Sequence, residues 1–264
     1  MTVVDQLGEQ FKIAKPLKRV ISIVPSQTEF LLAIGLKDLI VGRTRFCIHP
    51  HDVTGIEMVG GTKQLNVEAI AALRPHLIIG NKEENDKGQI EWLKQRFPVW
   101  MSDIKTIDDS LDMMSLLGDL FGKREQAGAI IQRIQFELKE IPQYPVSTAY
   151  FIWRNPYMVA ANNTFIHSMM KQFGFSNVFS DHTRYPVVTL EALAERHPEL
   201  IMLSSEPYHF TEKHFEEFQC RMPDARIIIV DGELFSWYGS RMLPAADYLK
   251  RLYEITSGNR FRKD

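Results

Sequence analysis

The sequence predicts an α/β fold in which two similar lobes are joined by a long helix. Short β-branched runs recur along the chain with helical patterns between them. One fifteen-residue stretch is written twice, as NVEAIAALRPHLIIG from Asn66 and as TLEALAERHPELIML from Thr189, with six identities at an offset of 123. Between the copies lies a segment with one continuous apolar helical face.

In chain order, RVISIV (19–24), HLIIG (76–80), TAYFIW (148–153), ELIML (199–203) and RIIIV (226–230) are continuous apolar runs rather than alternating ones. Continuity of that kind marks strands buried on both faces, as in a parallel sheet. After the first run, PSQTEFLLAIG places Ser26 and Glu29 at capping-box spacing ahead of apolar residues, and Gly35 closes the helix. AIGLKDLI (33–40) and QFGFSNVF (172–179) share an order of glycine, apolar, any residue, Asp or Asn, and two apolars, here at an offset of 139. The halves therefore differ by insertions while keeping the order of their elements. Residues 123–141 carry Ala127, Ile130, Ile131, Ile134, Leu138 and Ile141 on one helical face, and Pro142 ends it. At about 1.5 Å per residue this helix is a rod of roughly 28 Å, long enough to join two lobes. The expected boundaries are 1–108 for the N-terminal lobe, 109–142 for the connecting helices and 143–264 for the C-terminal lobe.

Composition narrows the function. A chain of 264 residues can bury a full core, and 45% apolar with 24% charged residues is ordinary for a globular protein. The formal net charge of −2 provides no basic field for nucleic acid. No apolar run reaches the length of a membrane span. Cys47 and Cys220 stand far apart and outside any CxxC pattern, which excludes a disulfide scaffold and a four-thiolate zinc site. The start, MTVVDQLGEQFKIAKP, has Asp5 and Glu9 where an export signal needs an apolar core. Two locations stay open: extracytoplasmic if a signal has been removed, cytoplasmic if Met1 is the natural start.

Asn66 and Thr189 are good helix N-caps, which puts Glu68 and Glu191 in the first turns of equivalent helices. The helix dipole alone favours a carboxylate there. It does not explain why two diverged copies share one. A matched pair of exposed carboxylates can dock onto two cationic sites of a pseudo-symmetric partner.

KRVISIVPSQTEFLLAIGLKDLIVG, NVEAIAALRPHLIIG, TLEALAERHPELIML and WYGSRMLPAADYLKRL, from Lys18 to Leu252, resemble the substrate-binding proteins of ABC importers for vitamin B12 and ferric siderophores, the class with a helical backbone between its lobes. The resemblance implies two Rossmann-like lobes with parallel sheets, a long backbone helix and a ligand cleft between the lobes. It implies docking to the permease transmembrane subunits through Glu68 and Glu191, a monomer, and no intrinsic cofactor. The cargo would be a metal chelate: cobalamin, a ferric siderophore or haem. An export signal or lipobox cysteine, usual in the exported members, is not visible.

In open α/β sheets ligands sit beyond the carboxyl ends of the strands. The loops there are 25–28, 43–52, 60–64 and 81–86 in the first half, and 153–158, 204–210 and 231–241 in the second. They carry Phe46, Trp153, Tyr157, Tyr208, Phe210, Phe235, Trp237 and Tyr238, too many large rings for ordinary loops. About half are expected to plug the lobe ends and the rest to face a flat ligand. Arg43, Arg45, Lys63, Lys82, Arg154 and Arg241 suit ligand carboxylates or phosphates. Glu83, Glu84 and Asp86 suit amides or cations, and Glu206 is a further ligand-binding candidate. Cys47, His49 and His51 alternate onto one side if FCIHPHD is extended, and His209 with Glu206 can complete a direct metal site; the favoured alternative is that Cys47 or His49 touches a metal-bearing ligand or makes local hydrogen bonds. His76, His182, His197 and His214 join no constellation.

No G-x-S-x-G elbow, P-loop, G-x-G-x-x-G or HExxH occurs. The expectation is a binding protein rather than an enzyme. The alternatives are a metal-binding enzyme or a cytosolic sensory module on the same two-lobe fold.

Overall fold

The computed structural model describes residues 1–257 except Asp52, Thr54 and Tyr144. Asp52, which ends the expected loop 43–52, and residues 258–264 of the expected C-terminal lobe lie outside the described residues. The chain divides into two compact units. The first takes Met1–Ile104, Asp108–Arg133 and Tyr238–Arg241, the second Lys105–Ile107, Ile134–Trp237 and the chain from Met242 onward. No helix among the described residues is long and apolar enough to cross a membrane.

The first unit opens with an antiparallel hairpin, β1 (Thr2–Val4) and β2 (Gln10–Lys12). Asp5, buried at its bend, accepts from the backbone N–H groups of Leu7, Glu9 and Met101 and so fastens the hairpin to the unit. Then follow β3 (Val20–Ser22), α1 (Pro25–Ala33), β4 (Ile40–Arg43), β5 (Glu57–Met58), β6 (Gly60–Gly61), β7 (Gln64–Leu65), α2 (Val67–Ala72), β8 (Leu77–Asn81), α3 (Lys87–Lys94), β9 (Val99–Ser102) and α4 (Ile107–Leu120). The main sheet runs β5-β4-β3-β8-β9 and is parallel at every pairing. Ile21, Ile23 and Ile78 are fully buried in its core with Ile70, Leu93 and Met101. Each such side chain contributes about 1.5–3 kcal/mol relative to exposure.

The second unit contains β10 (Val146–Trp153), β11 (Met158–Val159), α6 (Phe165–Gln172), β12 (Phe175–Asn177), α7 (Leu190–Ala194), β13 (Leu200–Ser204), α8 (Phe215–Gln219), β14 (Arg226–Val230), α9 (Gly232–Ser236) and α10 (Met242–Ser257). Parallel pairing runs β12-β10-β13-β14, and β11 adds to β10 antiparallel. Its core packs Phe151, Phe179, Phe210 and Phe218 with Leu193, Ile201 and Leu203.

The repeat is therefore architectural. In chain order β3, β4, β8 and β9 are laid out second-first-third-fourth, and β10, β12, β13 and β14 take the same order. Gly35 and Gly174 stand in the left-handed region after α1 and α6, where a side chain is strained. Arg74 and His197, equivalent at the offset of 123, also have positive φ as they leave α2 and α7. His76 N–H donates to the Arg19 carbonyl, and its equivalent Glu199 N–H to that of Ser147.

Four expectations are corrected here. The capping box at Ser26 and Glu29 does not form, because Pro25 takes the first helical position and makes Val24 the N-cap. Ser26 Oγ instead accepts from Tyr238 N–H, and Glu29 pairs with Arg241. The connecting helix α5 is Arg124–Lys139, sixteen residues or about 24 Å. Its buried stripe is Ala127, Ile134 and Leu138, continued by Ile141 beyond its end, while Ile130 and Ile131 are half-exposed. The segment 109–142 is not a separate body: the boundary between units falls within α5, at Arg133. Finally, Tyr238–Arg241, expected in the C-terminal lobe, packs with the first unit through long-range partners.

Candidate functional site

In each main sheet the strands other than the antiparallel β11 run parallel, so they deliver their following loops to the same edge. At that edge of the first unit a buried amide network shapes the loops. Asn85 Oδ1 accepts from Asn81 N–H, while its Nδ2 donates to the carbonyls of Ile23 and Thr62. Asn81 Oδ1 accepts from Glu83 and Glu84 N–H, and Gln27 Nε2 donates to Ser102 Oγ and the Gly80 carbonyl. A Cβ on Gly80 would lie 2.7 Å from Asn85 Oδ1, so glycine is required beneath the network.

Most cations of this edge are occupied, Arg45 excepted. Lys63, at the tip of the β6–β7 hairpin, donates to the carbonyls of Glu83 (2.5 Å) and Asn85. Lys82 pairs with Asp103 at 2.8 Å. Arg43 donates to the carbonyls of Val53, Thr44 and Cys47 and so pins the loop after β4. Arg45 lies over the ring of Phe46, which is 46% exposed. Asp86 is the N-cap of α3, accepting from Gln89 N–H.

Cys47 is fully buried, its sulfur 3.1 Å from Thr28 Oγ1 and 3.2 Å from Thr44 Oγ1. Burial pushes its thiol pKa up. It therefore neither lines the edge nor ligates metal. The loop turns rather than extends, so Phe46 and Ile48 face outward while Cys47 faces in. His49 and His51 approach each other, ring centroids 5.5 Å apart, without Cys47. His209 is exposed, with Nδ1 3.4 Å from the Ser205 carbonyl. No group of three or more His, Cys, Asp and Glu among the described residues can hold a metal ion.

Tyr238 and Arg241 are structural as well. Tyr238 is buried, its hydroxyl donates to Glu84 Oε1 at 3.0 Å, and burial holds its pKa well above the ordinary tyrosine value. Gly239 N–H donates to Ser110 Oγ, and Arg241 Nε to Glu29 Oε2 at 2.9 Å. Gly239 has a φ of +73 and passes close to the Ser26 carbonyl, so the crossing needs glycine.

The corresponding edge of the second unit is aromatic. Trp153, 39% exposed, meets Tyr208 edge to face with centroids 5.8 Å apart. Tyr157 packs on Phe151 and Phe218 and stays half-buried, as does Trp237. Phe210 and Phe235 are the plugs, 1% and 0% exposed. Arg154 forks onto Glu217 with contacts of 3.0–3.2 Å, and the pair raises its pKa further, with Tyr157 and Tyr208 alongside. Glu206 accepts from Ser236 Oγ at 3.2 Å; burial first, then the charge of Glu233, raises its pKa. A Cβ on Gly232 would lie 2.5 Å from both Ser204 Oγ and Glu206 Cγ, so glycine lets α9 start against this loop.

Glu68 and Glu191 are exposed, each in the first turn after its cap. Asn66 Oδ1 accepts from Ala69 N–H at 3.0 Å and Thr189 Oγ1 from Ala192 N–H at 3.1 Å. Glu191 also meets Arg221 at 2.5 Å, whereas Glu68 has no ion pair among the described residues. The pKa of Glu191 is lowered, by its own backbone N–H first and then by Arg221. His214 was passed over in the sequence: it is buried, bonded to Thr211 and to Tyr208 of the aromatic edge, and only a Thr three residues earlier, at capping-box spacing, hints at it.

The chain matches the family model described as periplasmic binding protein over residues 20–224. It is 27% identical over 242 residues to a vitamin B12-binding protein of Pectobacterium carotovorum subsp. carotovorum, covering 88% of this chain and 87% of that one. The solved periplasmic vitamin B12 binding protein BtuF of Vibrio cholerae superposes with a TM-score of 0.78 at 23% identity, covering 92% and 98% of the two chains. The periplasmic heme binding protein HutB of Vibrio cholerae gives 0.75 at 18% identity, over 89% and 98%. At such identities the structural likenesses speak to the fold alone.

Proposed function

The chain is a member of the periplasmic binding protein family, and on that premise we propose that it captures a corrinoid outside the cytoplasmic membrane and hands it to an ABC permease. The observation that carries the choice of cargo is the state of the cations at the two strand-end edges. Lys63 and Arg43 are taken by backbone carbonyls, and Lys82, Arg154 and Arg241 by carboxylates, which leaves Arg45, exposed beside the Phe46 ring, as the one candidate cation without an acceptor among the described residues. Haem brings propionates, and many ferric siderophores carry net negative charge; either needs further cations released from these partners. A corrinoid presents a broad apolar face and a rim of neutral amides. Trp153, Tyr157, Tyr208 and Trp237 suit the face, and Glu206, whose carboxyl holds its proton more readily than usual, suits the amides. The similarity to a vitamin B12-binding protein over most of both chains supports the same cargo.

Glu68 and Glu191 are the proposed docking pair, and their exposure on matching helix starts supports that role. The two ends differ, since a permease cation must displace Arg221 to reach Glu191. Tryptophan fluorescence during titration with cyanocobalamin, hemin and a ferric trihydroxamate tests the cargo. Saturable quenching by cyanocobalamin, weakened by replacing Trp153 and Trp237, is expected. Saturation by hemin alone would overturn the choice of corrinoid.

A further inference from the structure

Tyr208 has two neighbours that fix what its hydroxyl can do. His214, in the 3-10 turn Glu212–His214 before α8, is 7% exposed and packs its ring against Tyr208 and Phe210, with centroids 5.7 and 5.5 Å apart. Its Nδ1 lies 2.9 Å from the backbone nitrogen of Thr211, which donates to it. A backbone N–H can only donate, so Nδ1 must be the bare nitrogen of the neutral ring. The Thr211 carbonyl, 3.0 Å from Nδ1, accepts the His214 backbone N–H at 2.9 Å, and the Thr211 hydroxyl, 3.3 Å from Nδ1, can donate to the bare nitrogen as well. The ring proton is therefore on Nε2, which faces Tyr208 Oη at 3.3 Å and donates to it.

The hydroxyl thus receives a hydrogen bond from His214, and the other polar group alongside it, the Arg154 guanidinium, carries donors only. Neither neighbour can accept. The tyrosine proton has no acceptor among the described residues, at an edge whose next ring is the exposed Trp153. We infer that Tyr208 is held as a hydrogen-bond donor toward an acceptor oxygen of the cargo, an amide carbonyl or a phosphate, and that His214 is the positioning residue that enforces this direction. This rests on the aromatic edge being a cargo-binding face.

Two substitutions separate the functions of His214. His214→Asn keeps an acceptor near the Nδ1 position for Thr211 N–H but loses the donor to Tyr208; His214→Gln carries an N–H out toward the Nε2 position and gives up the cap. In cyanocobalamin titrations, Tyr208→Phe should weaken binding by about two- to twelvefold, the range of one net hydrogen bond. His214→Asn should weaken it by a similar factor, His214→Gln by much less, and Tyr208→Phe with His214→Asn no more than Tyr208→Phe alone. A purely structural histidine would make the effects multiply and would follow the cap instead of the donor. Long-range ¹H–¹⁵N spectra of the unliganded protein read the tautomer directly, with the proton expected on Nε2. A proton on Nδ1 overturns the inference whatever the protein binds, as does wild-type affinity in Tyr208→Phe. Failure of the unmodified protein to bind cyanocobalamin tells instead against the corrinoid reading.

Discussion

Replacing Arg241 separates a scaffold residue from a cargo contact. In the sequence it belongs with the cargo loops; in the structure it closes a partly buried pair with Glu29, at 2.9 Å and with 12% and 16% of the side chains exposed. At an effective dielectric of about 20, charges this close attract by about 6 kcal/mol gross. Desolvation offsets most of that, so the intact pair adds little net stability. Arg241→Ala removes one partner only and leaves the Glu29 charge under cover, at a cost of about 3 kcal/mol, the lower end for a buried pair because some solvent reaches it. For a chain of this size that lowers Tm by about 6–12 °C. Glu29→Gln combined with Arg241→Met removes both charges and should recover most of the loss. Thermal unfolding followed by circular dichroism measures the stability, and cyanocobalamin titration well below the transition measures the affinity. Unchanged stability in Arg241→Ala together with abolished binding would refute the scaffold role.

Glu68→Lys and Glu191→Lys should abolish association with permease-containing membranes while leaving cyanocobalamin affinity within about twofold; loss of both properties together would place these residues in the cargo site or the fold. Glu206 has a raised pKa in the folded protein, so its stabilising contribution is full below about pH 4.3 and falls as pH rises through the folded value. Glu206→Gln should accordingly stabilise at neutral pH and flatten that part of the profile, and an identical pH profile in denaturant titrations would contradict the assignment. Cys47, buried with a raised pKa, should resist maleimide at pH 8 while the exposed Cys220 reacts, giving one label per native chain and two after denaturation.

Much of the architecture was legible because it is locally encoded. The repeat at 123 placed two equivalent caps, and the repeat at 139 marked the turns into β4 and β12, so both sheets share one strand order. The short strands β4, β9 and β12 leave no continuous β-branched run: Gly42 interrupts the first, Trp100 and Met101 follow a single valine in the second, and the third is Phe-Ser-Asn. Longer-range events left no local signal. Tyr238–Arg241 reaches Ser26, Glu29, Glu84 and Ser110 across more than a hundred residues, which turned two expected cargo residues into braces. Cys47 suits a ligand only in an extended FCIHPHD; the loop turns, and the sulfur packs against the Thr28 and Thr44 hydroxyls. Arg43, Lys63, Lys82 and Arg154 were well placed as charges, yet their partners are carbonyls and carboxylates visible only after folding.

In the proposed function, aromatic strand-end loops take a neutral, amide-rimmed chelate while Lys63, Lys82, Arg43 and Arg154 stay with partners in the protein itself. Competition titrations of the unmodified protein, reading tryptophan quenching with cyanocobalamin and hemin together, test it most directly. Saturable quenching by cyanocobalamin is expected that excess hemin does not displace and that changes little with salt, since few ion pairs form. Tighter binding of hemin, weakening steeply as salt is raised, would contradict it.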